Sequence, residues 1–414
     1  MSCTKSFNIS KQEVMEAWRS VRSKRGSAGI DRESIEMFEG NLKDNLYKIW
    51  NRMSSGTYFP PPVLGVAIPK KSGGQRILGI PTVSDRVAQV VVQRRLEVKL
   101  EPIFLSDSYG YRPGKSAIDA IAVTKQRCWK KPWVLEFDIR GLFDNIRHDL
   151  LEKALSKHVT EKWILLYVQR WLRAPMKLSD NTQVQRDKGT PQGGCVSPIL
   201  SNLFLHYVFD AWMTRIHPRL KWCRFADDGL IHCASLAQAN FMKQELTKRL
   251  KACGLEIHEG KTRIVFCADN NRKSQHDVTE FTFLGYTFRR RKSKNKMTGE
   301  IFDSFQPAVS LDALKSMRRV VKRDWQLKSM AHLELREIAA RINPVIRGWI
   351  NYYGRFYRAA LIPLALHINE HLRLWAAQKY RPLRGNRGLS YDWLRKVYKV
   401  SPNLFAHWEV SRVY

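Results

Sequence analysis

The segment from Arg224 to Gly229 constrains the fold of this chain more than any other stretch. It places two adjacent aspartates, Asp227 and Asp228, directly between two short apolar runs. Apolar runs that flank a short polar break are typical of two strands joined by a tight turn. The pattern therefore predicts a β-hairpin that carries both carboxylates at its tip.

A third aspartate, Asp138, ends a separate apolar run that begins at Trp133, and a helical pattern starts at His148. Carboxylates that share a site raise one another's pKa unless a cation neutralises them. Two Mg²⁺ ions about 3.5–4 Å apart would remove this repulsion and hold the attacking and leaving oxygens of a phosphoryl transfer. Three convergent aspartates therefore predict a two-metal site, whereas an isolated Asp-Asp pair would also suit a solvated turn.

The charge of the chain indicates its partners. Lys and Arg number 71 against 38 Asp and Glu in 414 residues, so the formal net charge is +33. Proteins this basic bind polyanions, and counterion release along a nucleic acid favours that binding. An anionic membrane surface is the alternative, but the sequence has no apolar run of about 18 residues and no signal-peptide core. We expect a cytoplasmic protein that binds nucleic acid.

Length and composition indicate a folded intracellular chain. A chain of 414 residues with 44% apolar content can form roughly two to three domains with their own cores. The seven cysteines include no C-x-x-C pair and no neighbouring histidine at zinc spacing. We therefore expect reduced, structural thiols and no zinc module.

The first part of the chain predicts helices followed by a basic hairpin. Residues 10–55 have the pattern of amphipathic helices, with a turn near Gly29. A predicted strand pair then flanks a loop that contains Lys70 and Arg76. Such a loop can fold over a triphosphate, with Lys70 as a point charge and Arg76 as a bidentate fork. A charged hairpin tip in solvent is the alternative that the sequence leaves open.

A glycine-rich string runs from Gly189 to Pro198 and precedes an apolar helix, residues 199–212. Glycines let the backbone approach a ligand closely, and the helix start would offer free N–H groups. The side chain of Gln192 could contact the base or sugar of a nucleotide. An ordinary helix-entry loop is the alternative.

The composition changes after residue 288, where residues 289–296 predict an exposed basic link. Three amphipathic helices are predicted next, over 311–329, 332–358 and 361–380. One face of the middle helix is aromatic, with Trp349, Tyr353, Phe356 and Tyr357. Such a face is typical of a packed core, and aromatics interleaved with arginine can also stack on bases.

Five strings of the sequence resemble motifs of the bacterial group II intron-encoded reverse transcriptase/maturases, and they occur in that family's order. The first catalytic motif, the nucleotide-positioning motif, the x-A-D-D box, the primer grip and the maturase thumb signature correspond to Phe137–Asp144, Gly189–Pro198, Phe225–Asp228, Phe283–Tyr286 and Ile342–Tyr353. The resemblance covers nearly the whole chain. It implies an α+β right-hand polymerase, with fingers and a palm built on an antiparallel sheet, followed by an α-helical thumb.

The resemblance implies four regions. Residues 1–130 would be mainly fingers with an N-terminal extension, and residues 131–300 mainly palm. Residues 301–380 would form the helical thumb with the maturase domain, and residues 381–414 a short basic region similar to a DNA-binding segment. The HNH endonuclease of many relatives, with its C-x-x-C pairs, is not expected, so cleavage of a second DNA strand would be absent or supplied in trans.

The resemblance also implies the catalytic groups. The ligands of two Mg²⁺ ions, which would also be the catalytic carboxylates, are Asp138, Asp227 and Asp228. Lys261 would donate a proton to the leaving pyrophosphate. The usual family residues are replaced at three positions that are not proposed ligands, namely Phe225, Arg140 and Leu142.

Contacts with substrate and nucleic acid follow from the same resemblance. The dNTP would be bound by Lys70, Arg76, Phe143 and Gln192. The ring of Phe143 would be the gate that rejects a ribose 2′-OH. Exposed arginines of the thumb signature would contact nucleic acid, namely Arg347, Arg355 and Arg358.

The expected function is an RNA-directed DNA polymerase that also binds group II intron RNA and assists its splicing and retrohoming. Its partners would be that intron RNA, an RNA template with a DNA or RNA primer, a DNA target and dNTPs, in the bacterial cytoplasm or at the nucleoid. Two alternatives stay open: a related reverse transcriptase recruited to host defence or DNA repair, and a splicing-only RNA-binding maturase. The intact Asp138, Asp227 and Asp228 argue against the second alternative.

Overall fold

The computed structural model describes residues 6–69, 73–178, 180–295 and 297–411. The chain divides into two compact units. Unit 1 consists of residues 1–120 and 135–263, and unit 2 consists of residues 121–134 and 264–414. The division into four regions that the sequence predicts stays a prediction.

Unit 1 begins with a helical layer and a strand pair. The first elements in chain order are α1 (Lys11–Ser23), α2 (Ile35–Gly40), α3 (Leu42–Ser55), β1 (Val63–Pro69), β2 (Gln75–Ile80) and α4 (Val83–Leu100). Helix α5 (Ala117–Lys130) comes next and belongs to unit 2 from Ile121 onward. A capping box starts α1, because Ser10 and Glu13 each accept a hydrogen bond from the other's N–H. The rings of Trp18 and Phe38 stack at 4.8 Å in the core. The helices predicted over 10–55 are confirmed.

The next part of the chain supplies the sheet that carries the candidate site. Its elements in chain order are β3 (Trp133–Asp138), α6 (Leu142–Asn145), α7 (His148–Ser156), α8 (Lys162–Arg173), β4 (Met176–Leu178), β5 (Gln183–Val184), α9 (Ser197–Leu205), α10 (Ala211–Ile216), β6 (Lys221–Phe225), β7 (Asp228–Cys233) and α11 (Leu236–Ala252). A π-helical turn, His206–Asp210, joins α9 to α10. The predicted apolar helix up to Trp212 is therefore confirmed, with one wider turn inside it.

Two sheets organise unit 1. One has the order β2-β1-β4-β5, in which β1 pairs antiparallel with β2 and parallel with β4. In the other, β6 and β7 form an antiparallel hairpin, and β3 lies beside β7. Leu135 and Phe137 of β3 are buried, which explains why this strand has an apolar run in the sequence. Both predicted hairpins are confirmed.

Unit 2 combines a small sheet with helices. Its elements in chain order are β8 (Arg263–Phe266), which starts in unit 1, β9 (Phe281–Phe283), β10 (Tyr286–Lys294), β11 (Ile301–Val309), α12 (Leu311–Arg319), α13 (Leu335–Tyr353), α14 (Ile362–Lys379) and α15 (Arg387–Val400). The sheet has the order β11-β10-β9. Ile338 and Ile346 of α13 pack with Ile368 and Trp375 of α14 in one apolar core. This mixture of helices and sheets confirms the predicted α+β class.

The end of the described chain packs into the same core as the helices. Trp408 belongs to that core. The buried amide oxygen of Asn369 accepts a hydrogen bond from the Trp408 indole at 2.9 Å and lies 2.8 Å from Nε2 of His407. Asn343 donates to the carbonyl of Leu404 at 2.9 Å. The segment after α15 is therefore fixed to α13 and α14 by buried amides.

Three predictions for unit 2 are wrong in detail. Residues 289–294 of the predicted link belong to a strand instead, because Tyr286–Lys294 is β10, paired residue by residue with β11. The middle helix ends at Tyr353, so Arg355 and Arg358 lie beyond it. The helix predicted over 311–329 ends at Arg319, and a π-helical turn follows it.

In the parts of the chain that the structure describes, none of the helices combines the length and the apolar character that crossing a membrane requires.

Candidate active site

The two adjacent aspartates lie at the tip of the β6–β7 hairpin. Phe225 pairs with Asp228 across the hairpin, so Ala226 and Asp227 form a two-residue turn, called here the aspartate turn. Ala226 has a φ of +55°, a left-handed conformation that L residues rarely adopt. Two-residue hairpin turns use such φ values because they match the twist of the strands. The hairpin therefore presents both carboxylates at one end of the sheet.

Asp138 reaches the same end of the sheet from β3. It is the last residue of that strand, and the N–H of Ile139 next to it donates to the Asp227 carbonyl at 3.3 Å. On its other side, the Asp138 carbonyl accepts a hydrogen bond from the His258 N–H at 2.8 Å. The structure thus brings together the three aspartates that the sequence predicts as ligands.

Burial and mutual repulsion act on these carboxylates. Burial, and then the charges of Asp227 and Asp138, raise the pKa of Asp228 to about 7. Burial also raises the pKa of Asp227. A buried anionic cluster of this kind is stabilised by a cation.

Lys261 supplies one positive charge at the cluster. Its ammonium Nζ lies 2.9 Å from Oδ2 of Asp138. The hydrogen bond to Asp138 raises the pKa of Lys261, so the side chain is held in its charged form. The side chain of Lys261 is 53% exposed, which leaves it access to solvent and to a ligand.

The donor set at this end of the sheet suits a divalent cation. Mg²⁺ prefers carboxylate oxygens and water as ligands. As the side chains stand, no three His, Cys, Asp or Glu residues within the described ranges are arranged around a single metal position, and the Lys261 ammonium is bound to Asp138 instead. A cation on Asp138, Asp227 and Asp228 would take over the neutralising role of this ammonium.

Phe143 lies in the short helix that follows Asp138. Its ring packs edge-on against the ring of Tyr111, with centroids 6.4 Å apart, and its carbonyl accepts a hydrogen bond from the Thr190 N–H at 2.7 Å. Tyr111 has a left-handed φ of +58°. Burial and the charge of Asp227 raise the pKa of Tyr111. Tyr111 therefore contacts the predicted gate, a role that no pattern in the sequence indicates.

The glycine-rich loop makes hydrogen bonds to strand β2 and to the short helix α6, which contains Phe143. The carbonyl of Gln192 accepts a hydrogen bond from the Gly79 N–H of β2 at 2.7 Å. A Cβ atom on Gly193 would lie 2.4 Å from the Gly79 carbonyl oxygen, so only glycine fits there. The side-chain amide of Gln192 donates to Asp144 at 3.3 Å. Gln192 is thus placed beside the Phe143 segment.

The side chain of Gln89 in α4 makes hydrogen bonds to the backbone of the same loop. Its Oε1 accepts from the N–H of Cys195 at 2.7 Å and from the N–H of Val196 at 3.4 Å. Its Nε2 donates to Asp85 at 2.9 Å, and Asp85 also accepts from the indole of Trp171 at 2.7 Å. The N–H groups of Cys195 and Val196, which directly precede α9, are therefore bonded within the protein.

The predicted triphosphate clamp is described only in part. Arg76 lies on β2 opposite Ile68, and its side chain is exposed. Burial raises the pKa of the Tyr111 hydroxyl, and the positive charge of Arg76 lowers it. Lys70 lies outside the described residues.

In unit 2, the predicted primer-grip segment is a tight turn between β9 and β10. Leu284 and Gly285 both have positive φ, +52° and +80°, as a type I′ hairpin turn requires. The hydroxyl of Tyr352 in α13 donates to the Leu284 carbonyl at 2.9 Å. The Tyr286 hydroxyl donates to the Tyr352 carbonyl. Two rings of the predicted aromatic face, those of Tyr353 and Phe356, pack against the Tyr286 ring with centroids 5.7 Å and 5.5 Å away, as its core-like pattern predicts.

The three predicted thumb arginines are all exposed but have different settings. Arg347 lies on α13, and Arg355 lies in the turn after it. Arg358 forms an ion pair with Glu409 at 2.7 Å. Arg347 and Arg355 are therefore better placed than Arg358 to contact a polyanion.

Comparison with known proteins gives two family matches. Residues 68–288 match the family described as reverse transcriptase (RNA-dependent DNA polymerase). Residues 314–398 match the group II intron, maturase-specific domain. The first match covers more than half of the chain and contains all three aspartates.

The chain is also similar to individual proteins. It is 28% identical to protein YkfC of Escherichia coli (strain K12) over 324 residues, which are 68% of this chain and 81% of YkfC. It is 34% identical to the group II intron-encoded protein LtrA of Lactococcus lactis subsp. cremoris over 194 residues, which are 46% of this chain and 32% of LtrA. The chain thus spans about a third of LtrA's length. A solved telomerase from Candida albicans has a TM-score of 0.45 and 14% identity, over 90% of this chain and 70% of that one.

Proposed function

This chain belongs to the reverse transcriptase family, within the group II intron-encoded reverse transcriptase/maturases, and we propose from that premise that it copies RNA into DNA and binds group II intron RNA. The observation that carries the proposal is the convergence of Asp138 with Asp227 and Asp228 at one end of the sheet. Three half-buried carboxylates at one end of a sheet suit the two-metal chemistry of nucleotidyl transfer. A binding-only protein has no need to hold such a cluster together.

In the proposed reaction, a primer 3′-OH attacks the α-phosphorus of a dNTP and pyrophosphate leaves. Two Mg²⁺ ions, when bound, would lower the pKa of the attacking hydroxyl and neutralise charge on the leaving group. Asp138, Asp227 and Asp228 would hold them. Lys261, which is charged and half-exposed beside Asp138, would give a proton to the leaving pyrophosphate.

The surrounding residues would place the nucleotide. Arg76 would pair with the triphosphate as a bidentate donor, together with Lys70. The ring of Phe143 would lie under the sugar, where it would exclude a 2′-OH. Gln192, already beside Asp144, would contact the base or sugar.

The proposed RNA partner is a group II intron, whose splicing and retrohoming the protein would assist. The maturase-specific match over 314–398 supports this partner. The exposed Arg347 and Arg355 would contact the RNA or the primer duplex. A DNA target is the further proposed partner, which would bring the protein from the cytoplasm to the nucleoid.

Primer extension by an Asp227→Ala variant tests the proposal. We expect extension of oligo(dT) on poly(rA) to be lost, because the variant lacks a central metal ligand, and we expect template-primer affinity to be unchanged. Asp149→Ala is the matched control, since this exposed carboxylate pairs only with Arg147 in the described structure and should leave extension intact. Extension at the wild-type rate by Asp227→Ala would refute the assignment.

A further inference from the structure

A buried ion pair lies directly behind the aspartate turn. The side chains of Arg224 and Asp210 are both 0% exposed. Nε and Nη2 of Arg224 donate to the two oxygens of Asp210 at 2.7 Å and 2.6 Å. This is the two-bond geometry that a planar guanidinium makes with a carboxylate.

The other donors of this guanidinium connect the pair to the aspartate turn. Nη2 donates to the hydroxyl of Ser108 at 2.7 Å. Nη1 donates to Oδ1 of Asn202 at 3.2 Å and to the carbonyl of Ala226 at 3.1 Å. All five N–H groups of Arg224 therefore have an acceptor, and one acceptor belongs to the turn itself.

Neighbouring backbone encloses the turn from the same side. The amide of Asn202 donates to the Gly110 carbonyl at 2.8 Å. A Cβ atom on Gly110 would lie 2.5 Å from the Ala226 nitrogen, so the backbone at Gly110 is in direct contact with the turn. The Tyr109 N–H donates to the Arg224 carbonyl at 2.9 Å. The position of Ala226 is thus fixed by groups from three separate segments of unit 1.

Three arguments indicate that the pair serves geometry more than stability. Desolvation of two buried charges largely offsets their attraction, so a buried ion pair contributes little to folding compared with apolar residues. Ala226 keeps a left-handed φ of +55°, and a non-glycine residue stays in that conformation only when its surroundings enforce it. Asp210 ends the π-helical turn, a rare feature that is frequent at functional sites.

We propose that Arg224, held by Asp210, is a positioning residue that keeps Ala226 in its left-handed conformation and so presets Asp227 and Asp228 for divalent cations. The inference rests on the proposed function, because it takes these aspartates as metal ligands. Arg224 does not touch substrate or metal. It acts through the Ala226 carbonyl, so its loss should weaken metal binding while nucleic-acid binding is retained.

Mn²⁺ binding to the full chain tests the inference independently of turnover. Binding is measured by EPR titration, with a dideoxy-terminated template-primer and the next dNTP present. Arg224→Lys keeps the charge but replaces a planar fork of five donors with a point charge, so we expect Mn²⁺ affinity to fall about tenfold or more. The Kd for the template-primer should stay within about twofold. A folded Arg224→Lys protein with wild-type Mn²⁺ affinity would overturn the inference.

A second substitution separates positioning from general stability. Glycine adopts positive φ without the steric penalty that alanine has, so Ala226→Gly removes the strain that Arg224 is proposed to counter. Added to Arg224→Lys, Ala226→Gly should restore a large part of the lost Mn²⁺ affinity. A double variant that binds Mn²⁺ no better than Arg224→Lys alone would contradict the positioning role.

Further variants keep the test decisive if Arg224→Lys does not fold. Ser108→Ala removes one acceptor of the guanidinium and should weaken Mn²⁺ binding by a smaller factor in the same direction, and an unchanged affinity would count against the inference. Phe38→Leu, a core change in α2, should lower the Tm without changing Mn²⁺ affinity. If Asp227→Ala binds Mn²⁺ as tightly as the wild type does, the metal site of the proposed function is wrong. If Asp227→Ala loses Mn²⁺ binding but Arg224→Lys binds Mn²⁺ with wild-type affinity, the metal site stands and only the positioning role of Arg224 is wrong.

Discussion

Phe143 is the residue at which sugar selection can be tested most directly. Its half-buried ring contacts Tyr111, and its carbonyl is bound by the Thr190 N–H, so truncation of the ring should leave the local backbone in place. We expect Phe143→Ala to accept ribonucleotides more readily, because the steric overlap with the 2′-OH is removed. Rejection of one small group is worth about 1–3 kcal/mol, so the preference for dGTP over rGTP should fall about 10- to 200-fold.

The measurement compares kcat/KM for rGTP and dGTP opposite a template C. Phe143→Tyr is the matched control, because it keeps an aromatic ring at the same place and should keep the wild-type preference. If Phe143→Ala and wild type discriminate equally, the ring is not the gate.

At the scale of residues, the sequence predicts those groups whose chemistry is visible locally. Asp227 and Asp228 are adjacent and flanked by apolar runs, so their placement at a hairpin tip follows from pattern alone. Gln89 and Asp210 give no such signal, because each lies inside a helix and its partner is distant in the sequence. Arg224 is visible in the sequence, because a charged residue within the buried run of β6 requires a buried partner. The sequence does not show that this partner is Asp210.

At the scale of elements, the β10–β11 ribbon differs most from the sequence prediction. A run of basic residues has the composition of a solvated link, whereas the backbone ladder with β11 makes it a strand. Side chains alternate between the faces of a strand, so Arg290, Lys292 and Lys294 share one face. The carboxylate of Asp303 is paired with Arg290. Lys292 and Lys294 are exposed and have no ion pair among the described residues, which leaves two free cations.

We expect these two lysines to bind RNA phosphates. Replacing both in Lys292→Gln/Lys294→Gln should weaken binding to single-stranded RNA and reduce the slope of log K against log salt by about 1.4 for two lost contacts. The slope is obtained from fluorescence-anisotropy titrations at several salt concentrations. The charge-matched control is Lys243→Gln/Lys248→Gln on α11, where Lys248 pairs with Glu245. Equal changes in both double variants would show that the ribbon contributes only net charge.

The buried histidine of the C-terminal segment makes unit 2 sensitive to acid. Burial lowers the pKa of His407 from 6.5 to about 3, so the folded protein keeps this ring neutral. Between these two values the unfolded chain binds one more proton than the folded chain. Above pH 6.5 the ring is therefore neutral in both states and does not lower the free energy of unfolding. As the pH decreases from 6.5 toward 3, the free energy of unfolding falls by about 1.4 kcal/mol per pH unit for this one group.

Substitution of His407 should remove this part of the pH dependence. His407→Gln keeps a donor for Asn369 but cannot be protonated, so its free energy of unfolding should change less between pH 7.5 and about 5 than that of the wild type. The measurement is urea unfolding at several pH values. His332→Gln alters an exposed histidine and should keep the wild-type dependence. A His407→Gln protein that loses stability in acid as steeply as the wild type would rule out this ring as the cause.

At the scale of the whole molecule, the order of motifs along the chain was sufficient for the family and the α+β class. The order of the motifs does not predict the division into two units. Residues 121–134 belong to unit 2 while the residues on both sides belong to unit 1, and such an exchange depends on long-range packing that no local pattern records. The same holds for the predicted basic region over 381–414, whose arginines indicate an extension but whose Trp408 is buried in the core.

The net charge of +33 and the maturase-specific match lead to a prediction about the whole protein. If the protein docks a group II intron, it should increase the splicing rate of that intron at low Mg²⁺, because binding stabilises the folded RNA that performs the chemistry. Docking depends on distributed positive charge. The Asp227→Ala/Asp228→Ala double variant should therefore stimulate splicing as well as the wild type does, although it cannot extend a primer.

Substitution of the predicted thumb arginines should have the opposite effect, a larger loss of splicing stimulation than of primer extension. Arg347→Ala/Arg355→Ala removes two exposed cations and should reduce the stimulation of splicing more than primer extension on a simple template. Arg358→Ala also breaks the ion pair with Glu409, so Glu409→Gln is needed beside it to separate lost RNA contact from lost packing. The decisive measurement is the splicing rate of a cognate group II intron, with and without protein, over a series of low Mg²⁺ concentrations. A protein that extends primers but never accelerates splicing would be a reverse transcriptase recruited to a host function.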